Sequence, residues 1–232
     1  MVKRRRSFKK TTKSRKRRRF ASRKRRRGFS TRLIRKGPFG SSFKFHTRYV
    51  SLANSLDVSA GGQPVSHFWS LNSLYDPDVS GIGGQPLNFD TMMKEFYDHY
   101  VVIGAKAYVD FHNTDSITAQ TVALRIKDTA TVDNDLAKAI ENGLTNYTTL
   151  GQRSSGANKR LTAGVNLSKF FGRKVLQGDK YQGTYTSSPT DQCYLQIIAA
   201  PMDLATNTTK VSYTIRIEYV AMLTEPKPQE RS

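Results

Sequence analysis

Four histidines, His46, His67, His99 and His112, are the side chains best suited to moving protons or holding a metal near neutral pH, and none stands at a ligand spacing such as HxxxH. His99 follows Asp98 directly, but adjacent strand residues point to opposite faces, so the two do not read as an acid/base pair. Cys193 is the one cysteine, which excludes CxxC sites and an intramolecular disulfide and fits a reducing compartment. It falls on the apolar side of an alternating segment and reads as a small buried hydrophobe rather than a nucleophile. Gly81-Ile-Gly-Gly-Gln-Pro has the glycines of a phosphate loop without its Gly-Lys-Ser/Thr ending, and Pro86 stands where a helix would start, so it reads as a turn. No catalytic residue, metal ligand or cofactor is expected, and the chain does not read as an enzyme.

The chemistry that the sequence does concentrate is polyanion binding. Of the 38 lysines and arginines, 20 lie in residues 3 to 36, and no Asp or Glu precedes Asp57. They are Lys3, Arg4, Arg5, Arg6, Lys9, Lys10, Lys13, Arg15, Lys16, Arg17, Arg18, Arg19, Arg23, Lys24, Arg25, Arg26, Arg27, Arg32, Arg35 and Lys36. The other 18 basic residues match the 18 acidic ones, so the formal charge of +20 belongs to the arm and the body is neutral. Such an arm has too little apolar content for a core and is expected to be disordered when free. Its self-repulsion is relieved when phosphates displace counterions, and its arginines add bidentate contacts. Phe8, Phe20 and Phe29 could stack on unpaired bases, at roughly 1 to 3 kcal/mol each, which favours single strands. The clusters at 16 to 19 and 23 to 27 also have the composition of a nuclear localisation signal, which makes host nuclear import receptors expected partners.

A membrane reading fails because the arm has no apolar helical face, and residues 101 to 109, interrupted by Lys106, are about half the length needed to span a bilayer. No signal-peptide core follows the first residues, so the expectation is a soluble chain outside the usual secretory route, with no membrane insertion. Without secretion, the glycosylation triplets at Asn146, Asn166 and Asn207 carry no weight.

Beyond the Lys36-Gly-Pro-Phe-Gly punctuation the pattern turns to alternation with a period of two. Phe43, Phe45, Thr47 and Tyr49 share one face and Lys44, His46, Arg48 and Val50 the other. Val101, Ile103, Ala105, Ala107, Val109 and Phe111 alternate similarly, and strands follow at residues 122 to 127, 193 to 199 and 211 to 219. Long connections at 54 to 64, 76 to 90 and 151 to 160 are rich in Gly, Ser and Asn. Short helices are predicted at about 89 to 95 and 135 to 142, the second capped by Asp133 or Asn134 and stopped at Gly143. The predicted fold is all-β: an eight-stranded jelly-roll sandwich with long loops, short loop helices and a disordered basic N-terminal arm. The boundaries predicted are an arm at 1 to 40, the sandwich at 41 to 225 and an exposed tail at 226 to 232.

Three segments carry a resemblance. Glu95-Phe-Tyr-Asp-His-Tyr-Val-Val-Ile-Gly-Ala-Lys-Ala-Tyr-Val-Asp-Phe, then Ser168-Lys-Phe-Phe-Gly-Arg-Lys-Val, then Gln192-Cys-Tyr-Leu-Gln-Ile with the closing strand at 211 to 223, resemble the capsid proteins of circoviruses and related Rep-encoding, circular single-stranded DNA viruses, in the same order. Residues 54 to 90 and 128 to 160 have no counterpart in it. The resemblance implies a jelly-roll subunit, self-association of sixty copies into a T=1 icosahedral shell, and a virion whose arms turn inward onto single-stranded DNA, or RNA on heterologous production. It also implies assembly in the host nucleus. Sixty arms would bring roughly 1200 positive charges, the scale of a very small genome. An arm of this length reaches roughly 30 to 36 Å.

In a jelly roll the first and last strands pair, which would set Lys44, Arg48 and Arg216 on one outward face as a second phosphate-binding patch on the lumen side. Arg125 and Lys127 join it if their strand lies in the same sheet, and Glu218 opposes it. The competing expectation is a cellular nucleic-acid-binding protein with a basic extension, on the plan of ribosomal proteins, whose globular part is usually basic as well.

Overall fold

A computed structural model describes residues 40–58, 63–115, 117–132, 135–142, 145–154, 156–202 and 209–228. The chain divides into two units at Arg35. The arm residues 1 to 39, including all twenty basic residues from Lys3 to Lys36, lie outside the described residues, as do the glycosylation triplet at Asn207 and residues 229 to 232.

The body contains nine strands among the described residues: β1 (Ser42–Val58), β2 (Val65–Ser70), β3 (Tyr97–Asn113), β4 (Gln120–Lys127), β5 (Thr145–Leu150), β6 (Asn158–Asn166), β7 (Gln182–Thr184), β8 (Tyr194–Pro201) and β9 (Thr209–Pro226). One sheet runs β1-β9-β3-β6, with β7 beside the start of β3, and the other runs β2-β8-β4-β5. Every pairing is antiparallel. β1 to β4 alternate between the sheets, β4 and β5 form a hairpin within one, and the chain then returns through β6, β8 and β9, so the two four-stranded sheets interleave in jelly-roll order, with the three-residue β7 as a ninth strand.

The pattern of β9 shows why these residues form this fold. Val211, Tyr213, Ile215, Ile217, Tyr219, Ala221 and Leu223 are buried, while the residues between them are half-exposed. That alternation is what a central strand with one wet face requires. Between the sheets lie Trp69, Tyr100, Phe111 and Tyr219, all with little or no exposed surface. Tyr219 Oη donates to the Ser70 carbonyl at 2.6 Å, tying β9 to β2 across the core. Burial pushes the Tyr219 hydroxyl well above its ordinary pKa, so it remains a neutral donor.

The β3 faces differ from the sequence prediction. The β3–β9 register slips between Val102 and Gly104, a bulge that changes the face. Before the slip Tyr100 and Val102 oppose the buried Leu223 and Ala221; after it Ala105, Ala107, Val109 and Phe111 face the core, and Ile103 is only half-buried. A second slip, between Ser51 and Asn54 of β1, places Ala53 at φ 58°, a left-handed backbone that costs energy for a residue with a side chain.

The first predicted helix is Phe89–Thr91 continued by a wider π turn, Met92–Phe96. The second, Leu136–Glu141, is capped by Asp135, which accepts from the Ala137 and Lys138 amides. Asp135 supplies that cap in place of Asp133 or Asn134, both outside the described residues, because it alone stands directly before the first helical residue. The sequence reading did not place β2, β5, β6 or β7, nor the helix at Leu167–Phe170, capped by Asn166, and the 3-10 turns at Val175–Gln177 and Asp179–Tyr181. Two of its connections, 54 to 64 and 151 to 160, are partly strand, because β1 runs on past its bulge to Val58 and β6 starts at Asn158. The body continues past the predicted boundary at 225: β9 ends at Pro226, and the Lys227 amide donates to Phe96 O at 2.9 Å.

Candidate nucleic-acid interface

The outward face of the five-stranded sheet gathers cations from three strands. On β1, Lys44, His46, Arg48 and Val50 point away from the core; on β9, Arg216 and Glu218 do; on β3, past its bulge, Lys106 and Tyr108 do. Register sets them in rows. Glu218 lies between Arg48 on one side and Lys106 on the other, and Arg216 lies between Val50 and Tyr108. Arg48 Nη2 is 3.2 Å from Glu218 Oε1 and Arg216 Nε is 3.7 Å from the same oxygen. The Arg216 guanidinium sits 4.3 Å and the Lys106 ammonium 4.9 Å from the centre of the Tyr108 ring, within cation–π range.

One row further, Arg160 of β6 holds Asp110 with two hydrogen bonds, at 2.6 and 2.8 Å. The guanidinium keeps the Asp110 carboxyl below its ordinary pKa, so this pair stays ionised and mutually neutralised near pH 7. The surplus positive charge is therefore centred on Arg48, Lys106 and Arg216.

Arg125 and Lys127 do not join this face. β4 pairs with β5 and β8 in the other sheet, where Ala123, two residues before Arg125, packs with Ala139 and Ile198 beneath the helix Leu136–Glu141. They are on the opposite outer surface of the sandwich from Lys44, Arg48 and Arg216. The sequence reading missed Lys106 and Tyr108. The signal was present, since Lys106 is the polar interruption of an apolar run and Tyr108 stands two residues on, but linking them to Arg216 needs the β3–β9 register.

The remaining reactive side chains have structural surroundings. His67 Nε2 lies 2.8 Å from Asp78 Oδ1, and that oxygen also accepts from the Ser80 amide and hydroxyl. His99 lies 3.1 Å from Glu225 while Asp98 lies 3.7 Å from Lys227, so His99 and Asp98 turn to different partners. Gly81, at φ 74°, makes the turn expected of the glycine run, its amide donating to Asp78 O. Among the described residues no cluster of three or more His, Cys, Asp or Glu could hold a metal ion.

Cys193 has no exposed surface, and burial pushes its thiol up to about 12. Ellman's reagent at pH 8 is therefore expected to leave native protein unlabelled and to label one thiol per chain in denaturant. Rapid labelling of native protein would contradict this burial.

Neither the family models nor the curated proteins searched contain a match to this chain. Among solved structures it is similar to a chain of tobacco necrosis virus, with a TM-score of 0.48 and 12% identity, covering 82% of this chain and 85% of that one. It is likewise similar to a semi-empty virus-like particle of the nodavirus of the giant freshwater prawn Macrobrachium rosenbergii, with a TM-score of 0.47 and 10% identity over 85% and 91% of the two chains. A third likeness is to Desmodium yellow mottle tymovirus, with a TM-score of 0.43 and 15% identity over 85% and 96%.

Proposed function

We propose that the chain is the coat subunit of a small non-enveloped virus, assembling with copies of itself into a closed shell and packaging single-stranded DNA through its basic arm. The observation that carries this reading is the partition of charge. A formal +20 is confined to the first 36 residues, while the remainder is neutral and contains a β-sandwich of jelly-roll order. A strongly charged body would repel its own copies, whereas a neutral one can approach them closely while the arm engages the polyanion. The finer parts of the proposal are a circovirus-like virus, a T=1 shell of sixty subunits and entry of the newly made subunit into the host nucleus on its arm. The subunit acts as a structural protein, without catalysis and without cofactors.

The test is to produce the full chain and a version lacking residues 1 to 36, and to examine both by light scattering, negative-stain microscopy and absorbance at 260 and 280 nm. Uniform shells that lose their nucleic acid with the arm are expected. A monomer that binds nucleic acid without assembling at any salt or protein concentration would support the cellular binding-protein reading instead.

A further inference from the structure

We infer that the outward face of the five-stranded sheet is a second binding site for single-stranded nucleic acid, with a base stacked at the Tyr108–Arg216 pair and neighbouring phosphates held by Arg48, Lys106 and Arg216. The inference rests on the packaging reading above and deepens it, because it places part of the packaged strand on the folded body as well as on the arm.

Three cations surround one carboxylate. Arg48 and Arg216 both approach Glu218 Oε1, and Lys106 is paired with Glu218 in register from the other side. Adjacent strands are about 4.8 Å apart, so the three charges fall within the spacing of a few nucleotides. One carboxylate cannot neutralise them all, and the Arg216 Nε, buried at 3.7 Å from it, makes no hydrogen bond. Arg160, the next cation across the sheet, is spent on Asp110. The uncompensated charge therefore sits beside an aromatic ring that already carries a guanidinium at 4.3 Å. A guanidinium layered on a tyrosine is a planar platform of the kind on which an unpaired base stacks, and the flanking cations meet the backbone phosphates.

The same face does not suit a second copy of this chain, because self-contact would bring two cationic patches together with no surplus carboxylate on either side. An acidic peptide would satisfy the charges and leave the aromatic platform unused. If the packaged strand lies here, the five-stranded sheet is the wall that faces the interior of the shell, and the sheet β2-β8-β4-β5 looks outward.

The experiment uses the full chain with an oligothymidylate of about 20 nucleotides in which single thymines are replaced by 5-iodouracil, irradiated and mapped by mass spectrometry. Crosslinks are expected at Tyr108 as well as in the arm. The double variant Lys106→Ser/Arg216→Ser should reduce the Tyr108 crosslink by about tenfold and leave the arm crosslinks in place. Crosslinks in the arm with none at Tyr108 in the unmodified protein would overturn this inference while the packaging reading stands; crosslinks nowhere would remove both. The unmodified map needs no variant to fold. Poly-glutamate competing at Tyr108 as well as an oligonucleotide of equal charge would overturn the nucleotide assignment in favour of an acidic peptide.

Discussion

Replacing the ten basic residues of the cluster at 15 to 27, Arg15 to Arg19 without a gap and Arg23 to Arg27, with serine lowers the affinity of the full chain for single-stranded DNA by a thousandfold or more at 0.15 M salt. The size follows from counterion release. Each phosphate neutralised on a single strand contributes about 0.7 to the slope of log affinity against log salt, and six to ten contacts are worth on the order of 10³ to 10⁵ in affinity across a fourfold change in salt. The slope itself should become shallower by as much as about 7, which fluorescence anisotropy across a salt series measures directly. A second variant with lysine at all ten positions keeps the charge and so keeps the slope, losing only the bidentate contacts of arginine. An unchanged slope in the serine variant would show that the cluster does not touch phosphate.

The second large effect lies in the core. A Cβ placed on Gly183 would fall 2.3 Å from Tyr100 Cζ and 2.4 Å from its hydroxyl oxygen, closer than any real contact. Tyr100 cannot yield without cost: its ring is fully buried, it packs edge-on against Phe89 at 5.3 Å, and its hydroxyl accepts from the Leu74 and Tyr75 amides at 3.1 and 3.3 Å. Displacing the ring orphans those two amides and overpacks the site, so Gly183→Ala should destabilise the body by about 3 kcal/mol. Tyr100→Ala should cost about 3 to 5 kcal/mol through the cavity it leaves. Once the ring is gone the added methyl has room, so Gly183→Ala on the Tyr100→Ala background should cost little. Urea unfolding followed by the fluorescence of the single tryptophan, buried Trp69, measures all three variants. Additive costs would mean that Gly183 is required for some reason other than the ring.

How much was legible in the sequence depended on the range of the information needed. β9 announces itself, because Val211 through Leu223 alternate without a break and a single strand's period is local. Its pairing with β1 followed from the jelly-roll prediction, but the register that sets Arg48 opposite Glu218 did not. The sheet that β4 joins was not legible. Val122 and Leu124 face the core in either sheet, so the pattern that reveals a strand says nothing of its neighbours, and Arg125 and Lys127 were assigned only conditionally. The β3 bulge was hidden by chemistry, since Val101, Val102 and Ile103 are all apolar and a slip among them leaves no mark in a hydrophobic pattern. The platform on the outward face was lost for a third reason. Lys106, Tyr108 and Arg216 are separated by up to 110 positions and meet only through cross-strand register.

The long ladder between β1 and β9 has a mechanical meaning. The arm is covalently joined to the body at the start of β1, and β1 is held against β9 from Ser42 opposite Thr224 to Val58 opposite Thr209. A pull on Ser42 along the strand axis loads that ladder in shear, with the rungs sharing the force. A pull at right angles peels the rungs one at a time from the Ser42 end, where Phe43 is exposed and Met222 and Thr224 are half-exposed. The joint is thus strong in one direction and weak in the other, so the direction of a pull on Ser42 sets how much force the body tolerates before its edge strand frays.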